Sequence, residues 1–161
     1  MTHKEFKFCF ENYFDAIRNY IYYRSGDAEL ASDIAQDAFM KLWEKQKLFV
    51  KGKTKSLLYK IAGDILISHV RKMNNQRTFL EGVKFAFSSP DDDNNIDYTE
   101  LKEYYEKALG KLTENQRTVF LMNRMEGLTY KEIATCLDIS VKAIEKRMSK
   151  AIAELKKNIK I

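Results

Sequence analysis

Apolar residues recur at helical spacing along most of this chain, and the places where that rhythm stops divide it. Over residues 5–24, Phe6, Phe10, Tyr13, Phe14, Ile17, Tyr20 and Ile21 fall on one face, which predicts an amphipathic helix with an aromatic buried side. A stripe of this kind is far more often core than a ligand box. Ser25-Gly26-Asp27 closes that helix and opens another over 28–45, with Leu30, Ile34, Ala38, Phe39, Leu42 and Trp43 as its apolar positions. A third helix, 56–73, carries Leu57, Leu58, Ile61, Ile65, Leu66 and Val70. From 78 to 98 the rhythm is lost: SSPDDDNNID holds the only proline and a run of three aspartates, with little to bury. It resumes with Leu101, Tyr104, Tyr105, Ala108 and Leu109. Next comes a capping-box pair, Thr113 and Gln116, that opens a helix bearing Val119, Phe120, Met122 and Met125 and stopping at Gly127. The pattern predicts an all-α chain of two small helical domains, 1–77 and 101–161, joined by an acidic flexible linker, 78–100.

The stretch 128–157 carries the sharpest signal, two helices joined by a tight turn. Thr129 and Glu132 have capping-box spacing. Ile133, Leu137, Ile139, Ile144 and Met148 form the apolar set that locks the two helices, and small Ala134 sits at their crossing. Ser140 is placed to cap the second helix. Asp138 stands in the turn, where the backbone needs positive φ, a region Asp tolerates better than most non-glycine residues. This is the layout of a helix-turn-helix, whose second helix enters a DNA major groove by its N-terminal turn. An ordinary helical hairpin is the alternative.

Charge sharpens the picture. The formal net charge of the 161 residues is +5. From 129 to 161 eight Lys/Arg face four Asp/Glu, a net of +4, so most of the excess lies in the helix-turn-helix and its tail. That suits a polyanion partner. The segment 46–55, QKLFVKGKTK, suits equally a solvated loop or one that meets a nucleic-acid backbone and an unstacked base. Asp33 and Asp37 share a helix face but have no nucleophile or ligand set beside them, so a solvated or protein-binding face is the better reading. His69 lacks a partner at metal-ligand spacing. No phosphate-cradling Gly-rich loop, metal cluster or nucleophile with a base is present, so neither enzymatic activity nor a cofactor or metal is expected. Cys9 and Cys136 read as reduced core residues of a cytoplasmic protein. No apolar run approaches a membrane span, and no signal peptide opens the chain.

In this order and with this spacing the chain resembles the bacterial RNA polymerase sigma factors of the extracytoplasmic-function (ECF) type, in the sigma-70 family. DIAQDAFMKLWEK (33–45) is similar to the family's segment that docks on core polymerase. LLYKIAGDILISHVRK (57–72) resembles its promoter-melting helix, and 108–156 its domain that reads the minus-35 element. The resemblance implies a factor that binds core RNA polymerase and promoter DNA and directs initiation, with an anti-sigma factor as a common partner. It implies core binding at Asp33, Gln36, Asp37, Phe39 and Trp43, with Trp43 equally readable as core. Minus-10 contacts are implied at Lys51, Lys53, Lys55, Lys60, Asp64 and Arg71. Minus-35 contacts are implied at Ser140, Lys142, Ala143, Glu145, Lys146, Arg147 and Lys150, with Arg147 as a guanine reader and the lysines on phosphates. The acidic run Asp91, Asp92 and Asp93 resembles the family's connector. Leu57 stands where many members carry Trp, Asp64 where Asn is usual, Ser68 where Asp is common, and Ala143 for a frequent Thr. Two rivals remain at this point: a helix-turn-helix regulator that binds duplex DNA without joining polymerase, and a helical adaptor.

Overall fold

The computed structural model describes residues 1–45, 52–73 and 96–158. Lys51, Arg77 and the aspartates 91–93 lie outside the described residues. Among the described residues there are seven α-helices and no strand: α1 His3–Ser25, α2 Ala28–Glu44, α3 Thr54–Met73, α4 Ile96–Lys111, α5 Glu114–Arg124, α6 Tyr130–Leu137 and α7 Val141–Asn158.

Local chemistry sets most of the boundaries. Thr2 caps α1, accepting from the Glu5 N–H at 3.2 Å while the Glu5 carboxylate takes the Thr2 N–H at 2.9 Å. Gly26 ends the helix in the left-handed region, φ 70°, with its N–H on the Tyr22 carbonyl. Asp27 then caps α2, accepting from Leu30 N at 3.1 Å. Thr113 caps α5 and Thr129 caps α6, each in a complete capping box. α4 begins at Ile96, inside the segment expected as linker. Once a helix is nucleated, each added residue gains a hydrogen bond, so the helix runs back beyond the residues that the apolar pattern marks.

α1, α2 and α3 form a three-helix unit around Ile17, Ile21, Ile34, Phe39, Leu42 and Leu58, none more than 2% exposed. Removing one such side chain to Ala costs about 2–5 kcal/mol. The aromatic face of α1 closes over Phe39, whose ring lies 5.3 Å from Phe10, 5.9 Å from Phe14 and 6.2 Å from Phe6. α4 to α7 form a second unit around Leu109, Val119, Leu121, Ile133, Ile144 and Met148.

The two units meet through α5. Its six consecutive residues from Arg117 to Met122 are all buried, because one side faces its own unit and the other faces α1. A helix buried all round is a core helix. Leu121 is therefore fully buried, whereas Met125, expected on the apolar face, is half exposed. Arg117 is the hinge of this contact. Its Nε donates to the Tyr23 carbonyl at 2.6 Å and its Nη2 to the Arg24 carbonyl at 2.7 Å, both in the last turn of α1. It thus supplies donors to carbonyls that a helix C-terminus leaves without intrahelical partners. Burial pushes the guanidinium down to about 9, and it remains a cation at neutral pH.

A candidate nucleic-acid interface

Three surfaces carry the residues singled out in the sequence. On α2, Asp33, Gln36 and Asp37 are exposed on one face, joined by Met40, which is 60% exposed one turn further on. Phe39 is only 2% exposed, so it can support this face from beneath but cannot touch a partner. The physical reason is its place in the Phe6–Phe10–Phe14 cluster. Met40 is the apolar residue available in its stead, which the sequence reading missed because it weighed residue type before helical phase. Trp43 is half-buried, its ring 5.2 Å from Phe6 and 5.0 Å from His3.

On α3, Lys60, Asp64, Ile67 and Arg71 recur at helical spacing, and all are exposed. Lys53 is exposed just before the helix. Lys55 is half-buried, its ammonium 5.8 Å from the centre of the Tyr13 ring, so α1 already engages it. Ile67, 41% exposed amid polar neighbours, is an addition. Its sequence signal was an apolar residue in phase with the charged stripe.

The third surface is the helix-turn-helix. Asp138 adopts φ 53° and is the one positive-φ non-glycine residue among those described. It leaves α6 with its N–H on the Ala134 carbonyl. Ser140 caps α7, accepting from Ala143 N at 3.1 Å. Ile144, Met148, Ala151 and Leu155 are buried. Lys142, Glu145, Lys146 and Lys150 project from the opposite side, with Ala143 and Arg147 half-buried. Ion pairs among the described residues include Lys7–Glu11, Arg18–Asp15, Arg24–Glu114 and Lys157–Glu154. Lys142, Lys146 and Lys150 are exposed to solvent.

Parts of the second and third surfaces front one cleft, which Arg71, Lys142, Glu145, Lys146 and Lys150 do not line. Lys53, Lys60 and Asp64 line one wall and Ser140, Val141 and Arg147 the other, around about 1170 Å³. The floor is polar. Ser56 Oγ donates to the Thr135 carbonyl at 3.1 Å, and Tyr59 contacts Cys136. Burial pushes the Cys136 thiol up, and burial together with Cys136 and Glu126 raises Tyr59. Deeper in, Glu126 Oε1 accepts from Tyr23 Oη and from Asn19 Nδ2, each at 2.7 Å. The Tyr23 phenol is raised by burial and then by that bond. Arg24 pairs with Glu114 and lies against Gly63, where a Cβ would stand 3.0 Å from its Nη1.

The described residues hold no group of three or more His, Cys, Asp or Glu able to bind a metal, and none of their helices is long and apolar enough to cross a membrane.

Comparison with known proteins gives these surfaces a context. The family description "Sigma-70 region 2" matches residues 9–77, and "Sigma-70, region 4" matches 102–155. The ferric citrate uptake sigma factor FecI of Escherichia coli is 27% identical over 124 residues, 76% of this chain and 72% of that protein. The ECF RNA polymerase sigma factor SigM of Bacillus subtilis is 26% identical over 136 residues, 81% and 80% respectively. Among solved structures, the sigma factor RpoE of Bartonella quintana, in complex with the anti-sigma factor NepR, is 26% identical. It matches over 96% of each chain with a TM-score of 0.69. A duplex-binding regulator or a helical adaptor would leave the region 2 match without a role. With both regions present and in order, the chain belongs to the sigma-70 family, as an alternative sigma factor of the ECF type that binds core RNA polymerase and directs transcription initiation.

Proposed function

We propose that residues 1–77 bind core polymerase and melt the minus-10 element, that 78–100 connect, and that 101–161 read the minus-35 element. The observation that carries this is the division of α7 into a buried edge, Ile144, Met148, Ala151 and Leu155, and an outward basic edge. Arg147 reads guanine by a bidentate contact, while Lys142, Lys146 and Lys150 meet phosphates. Ser140 and Glu145 flank the reading turn, and Ala143 offers the methyl of a small side chain. Lys51, Lys53, Lys60 and Arg71 hold the backbone of the minus-10 strand around Asp64, with Lys55 beside them. Taking a base out of the stack costs a few kcal/mol, which strand capture in the polymerase complex offsets. The isolated protein therefore melts DNA poorly.

Asp33, Gln36 and Asp37, supported by Phe39 and Trp43, form the core-polymerase contact, with Met40 as its apolar centre. The protein acts by binding and remodelling, without covalent chemistry, in the cytoplasm where polymerase and template meet. An anti-sigma factor is a further partner, on the ground that the chain matches RpoE, solved with NepR, from end to end.

The test is in vitro transcription with purified core polymerase and a library of random promoters. Transcripts that appear only when the protein is added, enriched for one upstream and one start-proximal box, are expected. Absence of transcripts together with tight duplex binding by the protein alone would overturn the reading.

A further inference from the structure

α3 carries one side chain that neither the core nor the charged stripe accounts for. Its packing face is Leu58, Tyr59, Ala62, Gly63 and Leu66, all buried. Ile67 stands off the edge of that face, 41% exposed, where a β-branched residue favours a helix less than Ala would. Single apolar residues on a surface are common, so the argument rests on where this one lies. At roughly 100° per residue, Lys60 is about 20° from Ile67 around the helix, Arg71 about 40° and Asp64 about 60°. Met73 is also exposed, but it lies about 120° away on the other side.

The stripe is ordered along the helix axis as well. Lys60 and Arg71, both exposed, stand about 16 Å apart at 1.5 Å per residue. That is the length of about five phosphates of one strand at 3.4 Å each. Between the two cations lie Asp64 and Ile67. A carboxylate repels a phosphate, and an aliphatic group offers it no hydrogen bond. The strand is therefore held by its backbone at the two ends of the stripe and turns its bases to the middle. There the carboxylate can accept from a base amino group. The aliphatic group has a different use: it covers the flat apolar face of a base that has lost its stacking neighbour. Isoleucine is among the side chains that DNA-bending proteins insert as wedges between base steps.

We propose that Ile67 is such a wedge: it enters a base step of the minus-10 strand and covers the base face that the extruded neighbour leaves bare, so that the opened step does not restack. The proposal rests on the reading of α3 as the minus-10 surface, and adds to it a residue that acts on opening rather than on binding. Lys60 and Arg71 fix the backbone on either side of the step. Ile67→Ala removes three carbons, each worth about fourfold in an equilibrium when fully covered. With 41% of the residue free to be covered, the opened state loses about fivefold.

The test uses holoenzyme assembled from the full chain and purified core polymerase, at sub-saturating concentration, on one promoter selected from the library. Single-round transcription is compared between the fully paired template and the same template with mismatched bases across its minus-10 element, which is already open. The ratio of paired to open output is read, so a smaller active fraction of a variant cancels. Ile67→Ala should lower that ratio about fivefold. Ile67→Leu, which keeps the carbon count, should hold it within about twofold, and Met73→Ala should leave it unchanged. An unchanged ratio for Ile67→Ala overturns the wedge, whatever the absolute output does. An equal fall for Met73→Ala overturns its placement at Ile67. Lys60→Ala with Arg71→Ala should lower output on both templates; unchanged output from that pair overturns instead the minus-10 reading on which the wedge stands.

Discussion

Replacing Arg117 by Ala removes a fully buried guanidinium from the junction of the two units. Its bonds to the Tyr23 and Arg24 carbonyls are short, 2.6 and 2.7 Å, while the third, to the Leu112 carbonyl, is 3.4 Å and weak. A hydrogen bond from a charged donor contributes about 1.5–3 kcal/mol net, so the two short ones give roughly 3–6 kcal/mol. That figure is net of the desolvation that lowers the pKa of the buried guanidinium. Water entering the space left by the side chain rehydrates the carbonyls and favours the low end, so the expected loss is about 3 kcal/mol. For a chain of this size that lowers the midpoint of thermal unfolding by about 6–12 °C, read by circular dichroism at 222 nm. Arg117→Met separates the terms. It keeps the apolar stem and discards the charge, so it should recover only the roughly 2 kcal/mol or less that the methylenes supply. If Arg117→Met melts with the native protein, the carbonyl bonds contribute nothing and the argument fails.

Four further outcomes follow from particular residues. Tyr20, Tyr23 and Tyr59 all have phenols raised above the ordinary value, burial being the first cause in each. Above pH about 10 the unfolded chain loses these protons while the folded chain keeps them, so stability is intact below that pH and falls as pH rises. Urea titrations from pH 8 to 11 should show this, and a flat profile would contradict the burial of the three rings. Asp138→Gly removes the cost of a left-handed non-glycine residue and should raise stability by about 0.5–1 kcal/mol, read as a higher urea midpoint at unchanged slope. Arg147→Ala should weaken transcription from the selected promoters by about 1–3 kcal/mol and relax one guanine position; retained preference would remove Arg147 as the reader. Gln36→Ala with Asp37→Ala should weaken core-polymerase binding and leave the melting temperature within about 1 °C, since both are exposed; unchanged affinity would take them out of the contact.

Much of the fold was legible because it is written in local terms. Helical phase marked all three helices of the first unit to within a few residues. Thr113 with Gln116, and Thr129 with Glu132, announced helix starts through chemistry that needs only three-residue spacing. Asp138 in the turn and Ser140 at the next cap were readable for the same reason. Thr2 with Glu5 carries the same signature but stands ahead of Phe6, the first residue of the apolar stripe, so the stripe places the start of α1 two residues late. The start of α4 at Ile96 was missed because Ile96 and Tyr98, the two apolar residues before Leu101, directly follow a run of Asp and Asn that reads as linker.

The sequence by itself determined the helices, their caps, the basic edge of α7 and the order of two regions that identifies a sigma factor. All of these follow from side chains at fixed spacing on one element. Tertiary structure decided what each face touches. It buried Phe39 and left Met40 outside, although the two are neighbours in the chain, because three phenylalanines of α1 close over one and not the other. It sank the charged Arg117 into the junction, where the carbonyls ending a helix more than ninety residues earlier supply its partners. And it set α3 and α7 across one cleft, since how two amphipathic units meet depends on the few polar groups that pair between them, and no periodicity along the chain records that pairing.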